Sequence, residues 1–279
     1  MRRVNSGGCG RDRGRGGRLA RAALVTVLAA SGVALACDKP VYLSFDTGHM
    51  GVAPLVAEVL NRHAVKVTFF LANERTLNGG ASLDDQWAPW WRARVAEGHA
   101  FGSHTWDHEV WQGDLGPAGA AGLRVRATMG PTAGRTREIT AADYCALLQR
   151  PAARFEAITG QRMNALFRAP GGRISPALLK AASACGFTHV GWSAAGFLGD
   201  ELPSDRFPNE RLLAQALRDI RPGDILLAHL GIWSRKDAWA PAVLEPLIVG
   251  LKARGLCFAT LAEHPAYAAV GRVAAAPAR

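Results

Sequence analysis

Seven short apolar runs, rich in β-branched and aromatic residues, alternate with stretches of helical periodicity along most of this chain. The runs fall at residues 41–46, 66–71, 99–103, 164–169, 188–193, 224–230 and 257–261. Between them, residues 53–63, 86–97, 140–158, 175–186, 208–220 and 241–254 read as helices; in the first, Leu55, Val56, Val59 and Leu60 recur at helical spacing. Such alternation demands parallel strands, because each helix returns the chain to the start of the next strand. The expected fold is α/β, a distorted, incomplete (β/α) barrel of about seven parallel strands. Helix punctuation agrees: Thr140 and Ser175-Pro176 open two helices, and Gly98, Gly160 and Gly186 close three. Trp87, Trp90 and Trp91 on the second helix read as packing. Residues 112–137, rich in Gly, Ala and Arg, interrupt the alternation and read as a long loop inserted into a single domain spanning 37–279. Their Arg124, Arg126, Arg135 and Arg137 read as a solvated set.

The formal net charge of +10 is concentrated at one end. Residues 1–36 hold seven Arg and one Asp, which leaves 26 basic against 22 acidic residues elsewhere. That excess is too mild, and too little interleaved with aromatics, for a nucleic-acid partner. Residues 1–36 read as an export signal: a basic segment at 2–21, an apolar segment at 22–35, and Ala34-Leu35-Ala36 as the cleavage site. The apolar segment is short for a membrane span, so no stable span is expected after cleavage and the localisation expected is periplasmic or extracellular. Lipid anchoring at Cys37 is the weaker alternative, because Leu35 stands where a small residue is usual. Export leads to an oxidising compartment, where Cys37, Cys145, Cys185 and Cys257 allow three pairings. Cys37 and Cys257 each precede an expected strand, so a bridge joining the two ends of the domain is the favoured one.

In parallel α/β barrels, chemistry gathers at the C-terminal ends of the strands. Those ends carry Asp46 after the first run, His104 and His108 after the third, Arg168 at the fourth and His229 at the sixth. Residues four apart in a strand lie about 13 Å apart. Nitrogens on one zinc-like ion sit about 2.0–2.1 Å from it. His104 and His108 can therefore share an ion only if the chain turns after Ser103. One carboxylate, three histidines and an arginine at one mouth suit metal-assisted hydrolysis. Each residue alone also has a structural reading: a loop cap for Asp46, an ion pair for Arg168, packed rings for the histidines. His63, His99, His189 and His264 read as lying outside the site.

These segments resemble the NodB-type polysaccharide deacetylases, carbohydrate esterase family 4. Ser44-Phe45-Asp46-Thr47-Gly48 is similar to the first motif, Thr-Phe-Asp-Asp-Gly. Ser103 to His108 is similar to the second, Arg168-Ala169-Pro170-Gly171-Gly172 to the third and Leu227-Ala228-His229 to the fifth. The resemblance spans about residues 41–261. It implies a divalent metal, zinc favoured with cobalt, nickel or manganese also compatible, held by His104 and His108. It further implies Asp46 as general base, Arg168 holding that carboxylate and His229 as general acid. Pro170, Trp106 and Trp233 are the candidates for substrate contact. The implied function is an exported metal-dependent hydrolase removing N-acetyl groups from an N-acetylated oligo- or polysaccharide, chitin-like or peptidoglycan. Alternatives are hydrolysis of another non-peptide amide or imide bond, and an inactive carbohydrate-binding protein with the same fold.

Two departures matter. The family's second aspartate of the first motif, a metal ligand, is here Thr47, a poorer ligand for a divalent cation. Thr47 and His49 are the candidates for a third ligand. The fourth motif is altered as well: in the segment from Trp192 to Asp200, Asp200 could stand in for the acid that tunes His229.

Overall fold

Pro40–Asp46 forms β1, whose residues Val41 to Asp46 are all buried. A strand covered on both faces has no room for the in–out alternation of polar residues, which is why its sequence is nearly continuously apolar. The computed structural model describes residues 37–273. Around β1 lie β2 (Thr68–Leu71) and β3 (Ala100–Ser103), then β4 (Glu109–Leu115), β5 (Gly122–Ala127) and β6 (Thr136–Ile139) of a separate sheet, then β7 (Leu166–Phe167), β8 (Thr188–His189), β9 (Ile225–His229) and β10 (Cys257–Phe258). The main sheet has seven strands in the order β10-β1-β2-β3-β7-β8, with β9 also paired to β1. All its pairings are parallel, so every strand ends at the same mouth. The expected incomplete barrel of about seven parallel strands is the fold observed, although β7, β8 and β10 are shorter than their apolar runs.

Among the described residues six helices cover the sheet: α1 (Ala53–Arg62), α2 (Ala88–Ala96), α3 (Ala141–Thr159), α4 (Pro176–Ala184), α5 (Asn209–Asp219) and α6 (Leu244–Ala253). The start of α3 shows how sequence sets a boundary. Thr140 Oγ1 accepts from the Asp143 amide at 3.1 Å while Asp143 Oδ2 accepts from the Thr140 amide at 2.9 Å, a reciprocal capping box. Gly160, at φ 74°, ends the helix in the left-handed region that favours glycine. Trp91 is fully buried in the core between α2 and the sheet, with Trp87 and Trp90 packed beside it, as the helix pattern suggests.

Residues 112–137 are not the loop expected. They contribute most of an antiparallel sheet of β4 (Glu109–Leu115), β5 (Gly122–Ala127) and β6 (Thr136–Ile139). Along β5, Leu123, Val125 and Ala127 are buried while Arg124 and Arg126 face solvent. This is a two-residue period with long cations on the wet face. The Gly and Arg content hid it: Arg124, Arg126 and Arg137 are strand residues, and Arg124 pairs across the ladder with Glu138 at 3.0 Å. The dry face of the insertion packs on Tyr144 and Leu148 of α3 and Leu178 of α4, forming a second apolar cluster.

Disulfides join Cys37 to Cys257 and Cys145 to Cys185. The first ties the start of the domain to β10, and the second ties α3 to the end of α4. The expected export signal at 1–36 lies outside the described residues. No helix among the described residues is long and apolar enough to cross a membrane.

Candidate active site

Asp46 and His229 end neighbouring strands and face each other in register across the β1–β9 ladder. In-register residues on parallel strands project to the same face, so strand pairing alone brings the two side chains together. Arg168, just past β7, is fully buried. Its Nη1 donates to Asp46 Oδ1 at 2.8 Å and its Nη2 to Ser44 Oγ at 2.8 Å, with the guanidinium 4.3 Å over the Phe70 ring. Burial pushes the Asp46 carboxyl up, but Arg168, His104 and His229 outweigh it, and the group is held below the usual carboxylate range. Oδ1 is thus engaged by Arg168, while Oδ2 faces His104 Nε2 at 3.4 Å.

His229 is held by Asp200. Its amide donates to Asp200 Oδ2 at 2.6 Å, and Nδ1 lies 3.1 Å from each Asp200 oxygen. Burial pushes this imidazole down, yet Asp200, with Asp46 and Glu201 behind it, raises it to about 9. The ring carries a proton at neutral pH, with Nδ1–H on Asp200 and Nε2–H free.

The two histidines after β3 converge through a tight turn rather than a helix. Thr105 and His108 adopt positive φ of 62° and 50°. For a β-branched threonine this is a true outlier, sustained here by its Oγ1 accepting from the Glu109 amide at 2.8 Å. The His104 and His108 ring centroids come within 4.9 Å. His104 Nδ1 donates to the Arg168 carbonyl at 2.9 Å. The Thr128 hydroxyl donates to the His108 carbonyl, so His108 Nδ1 donates to Thr128 Oγ1, at 2.7 Å. Both rings thereby carry a proton on Nδ1, which leaves Nε2 as the nitrogen turned away from these contacts, the orientation a metal-ligating histidine adopts. Burial, more than any charge, takes His104 down to about 4, so it is neutral at ordinary pH. Among the described residues no three His, Cys, Asp or Glu side chains are gathered tightly enough to hold an ion by themselves. The donor chemistry fits two nitrogen ligands and leaves the remainder of a coordination shell to be supplied.

A family model described as polysaccharide deacetylase matches residues 35–190, more than half of the chain. This chain belongs to the polysaccharide deacetylase family. It is 28% identical over 234 residues to a chitooligosaccharide deacetylase of Azorhizobium caulinodans, an alignment covering 80% of this chain and 93% of that protein. It is 28% identical over 229 residues to the peptidoglycan-N-acetylmuramic acid deacetylase PdaA of Bacillus subtilis, covering 80% of this chain and 70% of that one. A solved family 4 acetyl xylan esterase from Clostridium thermocellum, in complex with a cobalt ion, shares the fold at TM-score 0.59 and 24% identity, over 81% of this chain and 89% of that one.

As a member of this polysaccharide deacetylase family the chain is a hydrolase, and its departures from the family pattern can be placed. Thr47 is buried; its hydroxyl donates to Glu74 Oε1 at 2.6 Å and accepts from the Ala72 amide at 3.1 Å. His49 stands apart from the other two histidines. The Gly51 amide donates to its Nδ1 at 2.9 Å, and its ring meets Trp233 edge-on at 5.2 Å. With Nδ1 accepting, the neutral ring carries its proton on Nε2 and has no lone pair for an ion. This corrects its candidacy as third ligand. Gly48, at φ 81°, is required by proximity, since a Cβ there would collide with the Gly231 carbonyl.

The substrate candidates divide. Trp233 is 46% exposed beside a cavity of about 220 Å³ lined by His49, Leu77, His229, Gly231 and Arg235. One face of its ring is covered by Arg75 at 4.6 Å. Trp106 instead packs against the main core with the Arg150 guanidinium 4.0 Å over its ring, so that face is closed to a sugar. Pro170 is buried at the start of the turn that follows Arg168. The residue that sequence reasoning missed is Glu74. It lies just past the end of β2, so the strand-end rule that found Asp46 and His229 would have reached it had the loop 72–84 been read for carboxylates.

Proposed function

We propose that this chain is an exported, metal-dependent deacetylase that removes N-acetyl groups from the sugars of a chitin-like or peptidoglycan polymer. The observation that carries the reading is the opposed pair at the mouth, in register on neighbouring strands: Asp46, held ionised by Arg168, and His229, held protonated by Asp200. A hydrolase of an amide needs both, a base for the attacking water and an acid for the departing amine. Support for an N-acetyl substrate comes from the chitooligosaccharide and peptidoglycan deacetylases to which the chain is similar. The two disulfides favour an oxidising compartment and so export.

Water attacks the acetyl carbonyl carbon, and its proton passes to Asp46 Oδ2, the oxygen not engaged by Arg168. The tetrahedral species collapses as His229 Nε2 gives its proton to the sugar nitrogen. The C–N bond breaks, and acetate and a free amine leave. Arg168 keeps Asp46 ionised and aimed, and its burial prevents solvent from competing for the carboxylate. His104 and His108 would hold a divalent ion, zinc favoured, through their Nε2 atoms. When bound, such an ion supplies Lewis acidity that polarises the acetyl carbonyl. Trp233 offers its open face to a sugar ring at the cavity edge, and Pro170 shapes the wall after Arg168.

The test is acetate release from N-acetylglucosamine oligomers and from purified peptidoglycan, with the protein supplied with Zn²⁺ or Co²⁺ and compared with His104→Ala/His108→Ala. Metal-dependent release that the double variant loses is the expected result. Turnover that is indifferent to metal and to the double variant would sink the metal-dependent reading. Absence of acetate from both polymers would point to another amide substrate.

A further inference from the structure

The inserted sheet flanks the mouth with an open groove of about 400 Å³. That volume lies within the range of small-ligand sites, about 300–1,000 Å³. Val110 and Gln112 of β4, Arg126 of β5, Thr128 and Arg173 line it. The groove abuts the histidine pair, because Thr128 on its wall accepts from His108 Nδ1 at 2.7 Å. Arg173 follows the turn of Pro170–Gly172 that comes after Arg168. A Cβ placed on Gly171 of that turn would lie 3.8 Å from Val110 Cγ1, so the turn and β4 pack side by side. Arg173 reaches back toward β4, its guanidinium 5.9 Å from the Trp111 ring centroid.

Two cations and no carboxylate line this groove. Other arginines of the insertion are matched: Arg124 by Glu138 at 3.0 Å, and Arg137 by Glu109 at 3.4 Å. Among the described residues Arg126 and Arg173 have no such partner. Across the ladder Arg126 faces Val110 on β4 and Thr136 on β6, neither of them charged. Of the two acids on β4, Glu109 is buried beside Arg137, and Asp114 accepts from Trp111 Nε1 at 3.0 Å and Ser175 Oγ at 2.7 Å. The cavity beside Trp233 differs, since Asp237 lies 3.4 Å from Arg235 there and Asp200 lines the same wall. A solitary exposed arginine is simply solvated. Two in one groove whose wall holds no acid focus a positive potential beside the mouth, where the substrate must pass. Guanidinium groups present paired N–H donors that match the two oxygens of a carboxylate.

We propose that Arg126 and Arg173 form an anion subsite beside the mouth, which takes a carboxylate carried by the polymer substrate. Of the two polymers that the proposed function allows, peptidoglycan carries carboxylates on the lactyl ethers of its muramic units, and chitin carries none. The inserted sheet then sets specificity, favouring an acidic glycan over a neutral one. The proposal rests on the deacetylase reading and deepens it, and it is independent of how a metal is held.

The experiment compares two forms of one substrate: peptide-free peptidoglycan strands with their lactyl carboxylates free, and the same strands with those groups converted to methylamides. Acetate release and calorimetric binding are measured on both for wild type and for Arg126→Gln/Arg173→Gln, with circular dichroism reporting folding. Wild type is expected to prefer the free-acid strands by about 2- to 30-fold in kcat/KM, the range that two exposed ion pairs supply. In the double variant that preference is expected to fall to about one. A purely structural effect of the substitutions lowers both rates together and leaves the preference as it was. A wild type that treats the two forms alike within about twofold overturns the subsite, and so does a double variant that keeps the wild-type preference. If the double variant does not fold, each single variant decides by the same ratio, with a partial loss expected and an unchanged ratio overturning that residue's part. Binding separates the two readings where no acetate is released. Tighter wild-type binding of the free-acid strands, lost in the double variant, supports the subsite while overturning the deacetylase reading. Equal binding of both forms overturns the subsite alone.

Discussion

The two flanks of the mouth are built on different principles. On the acid–base flank each charge already has its opposite: Asp46 has Arg168, and His229 has Asp200. That flank is electrostatically complete within the protein. On the histidine flank the tautomers are fixed and the backbone is strained at Thr105 and His108, yet the imidazole of His104 is neutral and the Glu74 carboxylate lacks a cation. Strain and unbalanced charge persist only where the surroundings hold them. One flank is finished by folding; the other, on the proposed reading, is finished by what it binds.

The sharpest way to separate the flanks is Asp46→Asn. Removing the proposed general base should lower acetate release by about 10²–10⁴-fold. Co²⁺ affinity should stay within a few-fold of wild type. A parallel collapse of metal binding would show that Asp46 belongs to both flanks. Arg168→Met probes how complete the first flank is. It strands a buried Asp46 carboxylate, and breaking one half of a buried pair costs about 3–5 kcal/mol. Urea denaturation should show the loss, whereas an unchanged midpoint would mean that Asp46 simply takes up a proton.

The histidine flank is probed by Thr128→Val. This near-isosteric change deletes the acceptor on His108 Nδ1. Metal affinity should fall about 10–100-fold, as for other outer-shell partners. Stability should change little, because Thr128 is exposed at the edge of the inserted sheet. Unaltered Co²⁺ binding would show that the His108 tautomer does not need Thr128.

The two flanks were also unequally legible. Asp46, Arg168 and His229 each stand at the end of an apolar run, and a parallel sheet sends all such ends to one place. The seven runs therefore disclosed both the barrel and most of its mouth. Local chemistry that crosses between loops was not legible. Glu74, three residues past the end of β2, meets Thr47, just past β1, through a hydrogen bond, and no sequence spacing shows that the two meet. The turn that brings His104 to His108 depends on left-handed residues that are not glycines, so no glycine marks it. In β5 the alternation of Leu123, Arg124, Val125 and Arg126 was present but masked by loop-like composition on either side. Trp106 was placed near the mouth by its position in the motif, but Arg150, which covers it, comes from α3.

The finest contrast concerns pH. His229 is raised to about 9 chiefly by Asp200, acting against burial. A group raised in this way is protonated below that value, so its proposed role as acid is fully available at neutral pH and is lost as pH climbs through about 9. The same pair stabilises the folded protein fully below the ordinary imidazole value of 6.5, and that contribution fades as pH rises through about 9. Asp200→Asn removes the charge while keeping an acceptor for Nδ1–H. The basic limb of kcat/KM should then move down toward the ordinary value near 6.5. At a pH of about 7.5 the protonated fraction drops from nearly complete to roughly a tenth, which is about a tenfold loss of rate. Co²⁺ affinity, set on the other flank, should stay where it was. A uniform fall in rate with the limb unmoved would mean that Asp200 only positions the ring. A limb that moves together with metal affinity would mean that the flanks are one electrostatic unit.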